Sequence, residues 1–225
     1  MLKNRGRLLP MLNAKDQSGF IIVETLINLA IGLVILISVV SICITLIRHS
    51  YQYTQLNQLE LRLNNAVNTI ATDLKRAGFW NSAYLGINQN LIKNPHMLAS
   101  TKLSLNASNN CVLLSYDLNK DGLVPSTNEY YGFRLVAGEL QAKTDSGNYN
   151  CNSTTGGWLS ITDPKNIFIS SLNLSLQNSS ANNQAGIAVY SRNLTIQLTG
   201  NLVNAPNISR TITKTVHIYN NLYQP

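Results

Sequence analysis

Apolar residues fill positions 20–47 almost without interruption, in the run FIIVETLINLAIGLVILISVVSICITLI. As a helix this run would be about 42 Å long, at 1.5 Å per residue. A bilayer core of roughly 30 Å needs less than that. A secretory signal peptide has a shorter apolar stretch, about 7–15 residues, followed by a small-residue cleavage site. A core helix of a soluble protein rarely stays apolar for so long. The run therefore reads as a membrane span. Beyond it the apolar positions thin to Leu56, Leu59, Leu63, Ala66, Ile70 and Leu74, at three- and four-residue spacing. That is one helical stripe suited to lying against a sheet. Gly78 is a plausible stop. Residues 20–77 thus read as one helix of about 87 Å, with 20–47 its transmembrane half and 48–77 its amphipathic half. No proline interrupts it, and Gly32 is the one weak point in the span.

From residue 111 the period changes to two. CVLLSYD, EYYGFRLV and GELQAK read as strands, the latter two joined by a short turn at Ala137-Gly138. NIFISSLNLSLQ alternates at Ile167 and Ile169, then at Leu172, Leu174 and Leu176. RNLTIQLTG alternates at Leu194, Ile196 and Leu198, and RTITKTVHIYN at Ile212, Val216 and Ile218. Residues 78–110, broken by Gly, Asn and Pro95, read as a connecting loop, and 111–225 as an antiparallel β domain. A long helix packed on an antiparallel β-sheet is an α+β roll.

Charge sharpens the membrane reading. The chain carries 17 basic and ten acidic residues, a formal net charge of +7. Lys3, Arg5, Arg7 and Lys15, with the single acid Asp16, all precede Phe20, which leaves 13 basic against 9 acidic side chains after it. The leading basic residues should stay in the cytoplasm and send the rest across. The remaining excess is mild and without Lys/Arg runs, which argues against a dedicated nucleic-acid surface. A carboxylate inside an apolar span costs about 2.5–3.5 kcal/mol at a helix centre. Glu24 sits near the start of the run, where the cost is smaller, but it still requires a reason.

One site of candidate chemistry stands out in the polar half. DLNKDG, residues 117–122, matches the opening of a calcium loop, in which alternate oxygens and a glycine turn surround a hard cation. Asp117, Asn119 and Asp121 would be side-chain ligands, Leu123 would give its carbonyl, and Glu129 lies one residue past the twelfth position, which is Asn128. The competing reading is a polar turn between strands. No catalytic constellation is present: His49, His96 and His217 are in no metal-ligand spacing, and neither G-x-S-x-G nor a P-loop occurs. The chain is not expected to be an enzyme.

The stretch QSGFIIVETL, with Gly19, Phe20 and an acid at Glu24 opening a long apolar run, resembles the precursor motif of type IV pilins. The resemblance implies a prepilin leader at 1–19, cleavage after Gly19 by a prepilin peptidase, and methylation of the new amine on Phe20. It also implies that Glu24 pairs with the N-terminus of a neighbouring subunit. Met1 and Met11 are both compatible starts for such a leader. TDLKRAGFW, the Cys before LLSYD, the Tyr-Gly-rich strand, Cys151, Trp158 followed by ITD, and the closing VHIYN together resemble PilW-type minor pilins. That likeness implies a bacterial inner-membrane precursor whose β domain is periplasmic and later displayed on a pilus. Its partners would be other minor and major pilins, a large tip adhesin and an inner-membrane assembly platform. A minor pseudopilin of a type II secretion system and a DNA-binding competence pilin are the alternatives. Cys111 and Cys151 bracket the YYGF hairpin; outside the cytoplasm they have a compartment in which to pair, and otherwise they are two free thiols.

Overall fold

In the computed structural model the described residues are 18–88, 94–123, 125, 128–143, 149–154, 156–182 and 188–224. The expected leader falls outside them up to residue 17. The chain divides into two compact units, Met1–Tyr53 and Thr54–Pro225, with the boundary inside one helix. That helix, α1, runs Ser18–Arg76 without a break. Every side chain from Phe20 to Ile47 is exposed. By length and composition α1 is able to cross a membrane.

In the second unit the amphipathic stripe is buried as its spacing implies. Leu59, Leu63, Ile70 and Leu74 are fully buried, with Ala66, Val67 and Ala71 beside them, while Leu56 is half-buried. The helix ends where Gly78 takes a left-handed φ of +76°. Its N–H donates to the Ser115 carbonyl at 2.8 Å. A Cβ at this position would lie 2.5 Å from Cε of Met97. The Asn220 side-chain amide donates to the Ala77 carbonyl at 3.1 Å and so caps a helix-end acceptor.

Antiparallel strands follow, as the alternation implied, and they form two sheets. The first has five strands in sequence order: β1 (Ser104–Leu105), β2 (Cys111–Ser115), β3 (Tyr130–Val136), β4 (Glu139–Lys143) and β5 (Trp158–Ser160). The second has three: β6 (Ile167–Asn182), β7 (Ala188–Leu202) and β8 (Ala205–Gln224). The segment 78–110, read as a connecting loop, has short elements of its own. It holds a short helix α2 (Ala83–Asn88), a 3-10 turn at Pro95–Met97 and strand β1. Asn94 caps the 3-10 turn by accepting from the His96 N–H, and Pro95 opens it. These elements are too short to show a period.

The shift of phase read within NIFISSLNLSLQ has a structural cause. Ile169 pairs with Gly200 and Ser171 with Thr199, so Ser170 is an extra residue, a β-bulge. The bulge puts Ile167 and Ile169 on the same buried face as Leu172 and Leu174. The same strand links the two sheets. Its Ile169 N–H donates to the Gly138 carbonyl at 2.8 Å, and its Leu174 N–H to the Asn109 carbonyl at 2.8 Å. Gly138 belongs to the Ala137-Gly138 hairpin turn, where both residues have positive φ. A Cβ there would strike the Phe168 ring at 2.2 Å.

The helix stripe, Val112, Leu114, Phe133 and Leu140 of the first sheet, and Leu174, Leu194, Ile196 and Ile218 of the second form one core. Leu63 packs so closely on the second sheet that a Cβ on Gly200 would be 3.0 Å from its Cδ2. Leu63→Ala is therefore expected to destabilise this unit by about 2–5 kcal/mol. Urea unfolding of the full chain in detergent micelles, followed by fluorescence of Trp80 and Trp158, measures it.

Candidate functional site

The residues singled out in the sequence fall into three places. Gly19, Phe20 and Glu24 lie in the first two turns of α1, and the Phe20 and Glu24 side chains are exposed. The hydroxyls of Ser38, Ser41 and Thr45 donate to carbonyls one turn back, at 2.8–2.9 Å, and Thr25 donates to Ile22. These polar side chains are satisfied inside the helix, which lowers the cost of placing them in lipid. Cys43 is a free, exposed thiol.

The second place is the outer face of the first sheet. Cys111 and Cys151 form a disulfide, with Cα atoms 6.0 Å apart and a sequence separation of 40. Strand β2 is buried at every position. Val112 and Leu114 enter the main core, whereas Cys111 and Leu113 point to the opposite face. The segment around Cys151 is clamped there by two cations. Arg134 donates to the carbonyls of Cys151 and Ser153, at 2.8 and 2.6 Å, and Lys143 donates to that of Gly156 at 3.0 Å. The Trp158 ring lies 4.2 Å from the Arg134 guanidinium, a cation–π contact. Burial pulls the Arg134 guanidinium below its ordinary pKa. Burial likewise pushes the Tyr149 phenol up, and its ring meets that of Tyr130 edge-on at 4.7 Å. Gly132 is required at this face. A Cβ there would be 2.9 Å from Leu113 Cδ2 and 3.1 Å from the Trp158 ring.

The third place is the loop between β2 and β3. The carboxylates of Asp117, Asp121 and Glu129 come together, each offering an oxygen within 4.8 Å of the others. Oδ2 of Asp117 accepts the backbone N–H groups of Asn81 and Gly122, at 3.0 and 3.1 Å. Glu129 Oε1 accepts the Leu118 N–H at 3.0 Å. Asn119 turns onto Asp121, accepting its N–H and donating to its Oδ2. The Leu123 N–H donates to Asp121 Oδ1 at 2.8 Å. Gly122 has a φ of +71°, and a Cβ on it would be 2.0 Å from Ser82 Oγ.

Three residues of this place escaped the sequence reading. Trp80 donates through Nε1 to the Gly122 carbonyl at 2.8 Å. Asn81 donates to the Lys120 carbonyl at 3.1 Å as well as to Asp117. His96, apparently isolated in sequence, is buried, lies 3.2 Å from Ser115 Oγ through Nδ1, and feels the field of all three acids. Burial lowers its pKa, with Glu129, Asp117 and Asp121 opposing. A Trp-Asn pair just past a helix stop gives no local signal for contacts made about 40 residues away.

A membrane-length helix that continues into the core of a disulfide-stapled α+β unit is the architecture on which the comparison with known families bears. The family model described as prepilin peptidase-dependent protein B matches residues 52–218. The chain belongs to that family. The match covers the α+β unit and starts beyond Gly19, Phe20 and Glu24, so those three residues lie outside the likeness that places the chain in the family. No curated protein and no solved structure matched the chain. For this family member the disulfide closes a loop of about 40 residues, worth roughly 4 kcal/mol in the chain-entropy account. Reduction is expected to lower the stability of the α+β unit by about that amount, as read from urea midpoints of oxidised and reduced full-length chain.

Proposed function

We propose that the chain is a minor pilin, a structural subunit that primes assembly of a type IV pilus and supports a tip complex. The observation that carries this reading is the joining, in one member of a prepilin peptidase-dependent family, of a fully exposed apolar half-helix to an α+β unit closed by a disulfide. The exposed half needs lipid or neighbouring helices to cover it. The disulfide favours an oxidising compartment. With Lys3, Arg5, Arg7 and Lys15 held in the cytoplasm, residues 20–47 anchor the precursor in the bacterial inner membrane and the α+β unit lies in the periplasm.

Cleavage between Gly19 and Phe20 releases an amine at the end of α1, which the peptidase methylates. Glu24 then meets the N-terminal cation of an adjacent subunit. A buried carboxylate is costly alone and tolerable beside such a charge. In this scheme the chain is the substrate of an enzyme and performs no catalysis, and its partners are other pilins, the assembly platform and a tip adhesin.

N-terminal mass spectrometry of sheared filaments should find a methylated Phe20. Gly19→Val should leave uncut precursor in the membrane fraction, and a mature start elsewhere defeats the processing scheme. Glu24→Gln should reduce filament number several-fold while leaving the melting of the α+β unit unchanged. Copurification with pilus components supports the pilus assignment. Copurification with a type II secretion machine instead makes the chain a minor pseudopilin, and retardation of DNA by the purified chain makes it a competence pilin.

A further inference from the structure

Clusters of carboxylates are common on protein surfaces, and most hold no ion. The one at the β2–β3 connection differs in burial. Asp117 is 2% exposed and Glu129 1%. Oδ1 of Asp117 is buried with no hydrogen-bond partner, although Oδ2 of the same carboxylate accepts two backbone N–H groups. A carboxylate oxygen enclosed by protein and given nothing to bind costs free energy unless a charge meets it. Two further carboxylates within 4.8 Å raise that cost by like-charge repulsion.

From this we infer that Asp117, Asp121 and Glu129 form a calcium site. The donors are all hard oxygens, and neither a thiolate nor an imidazole belongs to the group, which disfavours zinc. One ion about 2.4 Å from each oxygen accommodates separations up to about 4.8 Å, within the flexible calcium range. Magnesium, at about 2.0–2.1 Å with strict octahedral geometry, requires tighter convergence. Calcium takes six to eight oxygens, and water can supply those beyond the three carboxylates.

The loop is built to hold this geometry. Gly122 supplies the positive φ and the close approach to Ser82. Trp80 and Asn81 fix the Gly122 and Lys120 carbonyls from outside. Ligation by Glu129 closes the connection across its base, where β3 begins. An ion here would tie three segments together: the residues just past the end of α1, the 117–122 turn and the start of β3. The availability of millimolar calcium rests on the periplasmic placement proposed above, whereas binding by the purified chain does not, so the two can fail separately.

The test uses full-length chain in detergent micelles, stripped with EGTA. Calorimetric titration with calcium chloride should give one ion per chain. At a hundredfold excess over Kd the melting midpoint, read from tryptophan fluorescence, should rise by about 5–10 °C. Asp121 is exposed, so Asp121→Asn removes a ligand charge without opening the core, and it should weaken calcium binding at least about tenfold. Asp117→Asn should abolish binding; should that buried substitution unfold the chain, Asp121→Asn decides. Equal midpoints in EGTA and calcium, undiminished binding by Asp121→Asn, or an equal shift with magnesium chloride at matched ionic strength would each overturn the assignment.

Discussion

The α+β unit depends on one stripe of side chains, since Leu59, Leu63, Ile70 and Leu74 supply the apolar surface against which both sheets close. Each fully buried side chain of this kind contributes about 1.5–3 kcal/mol relative to exposure. The polar contacts along the helix follow from that packing. Tyr116, just after β2, donates to Asp73 at 3.2 Å, and Lys214 of β8 donates to Asn68 at 2.6 Å. The helix is thus gripped from both sheets at positions flanking the stripe. A helix of a single unit would fray after a few turns without such cover. Here its last turns are fixed by Ser115 and Asn220, which take the first free N–H and a terminal carbonyl.

That dependence explains what could be read from sequence. Helix spacing and strand alternation both record burial, so the stripe, the β3–β4 hairpin and the three long strands were legible. Even the bulge left a trace, because Ile167 and Ile169 occupy odd positions and Leu172 and Leu174 even ones. Division into two sheets left none. The two sheets are joined through backbone hydrogen bonds such as those from Ile169 and Leu174 to carbonyls of distant turns, and backbone groups are the same in every residue. Strand β5 was missed because only three residues pair, and of these Leu159 and Ser160 are exposed. The three acids of the β2–β3 loop were named from the sequence, while their surroundings were not. D-x-N-x-D-G announced Asp117 and Asp121, but Asn119 turned onto Asp121, and the roles of Trp80 and Asn81 required the folded chain.

The two faces of the first sheet are stabilised by different physics. Its inner face is apolar and shares the helix stripe. Its outer face is covered by the segment around Cys151. There the disulfide supplies the covalent tie, and Arg134 and Lys143 supply the order. Both cations donate to main-chain carbonyls, at Cys151, Ser153 and Gly156. Carbonyl dipoles and the negative face of the Trp158 ring partly replace the lost hydration. Because the acceptors are backbone atoms, the cover can vary in sequence while its path stays fixed by the donors on β3 and β4.

The placement of the family match has a physical reading as well. Residues 52–218 carry the likeness, and these are the residues whose side chains must fit one another. In the apolar half of α1 every side chain is exposed within the chain, and many aliphatic sequences would serve equally well in lipid. Its constraints are few and local: length and hydrophobicity. Each is compatible with countless sequences, so this half defines a class of helix. This chain is defined instead by the glycines at 78, 132 and 138, the two clamping cations and the disulfide, positions at which the fold leaves little choice of residue.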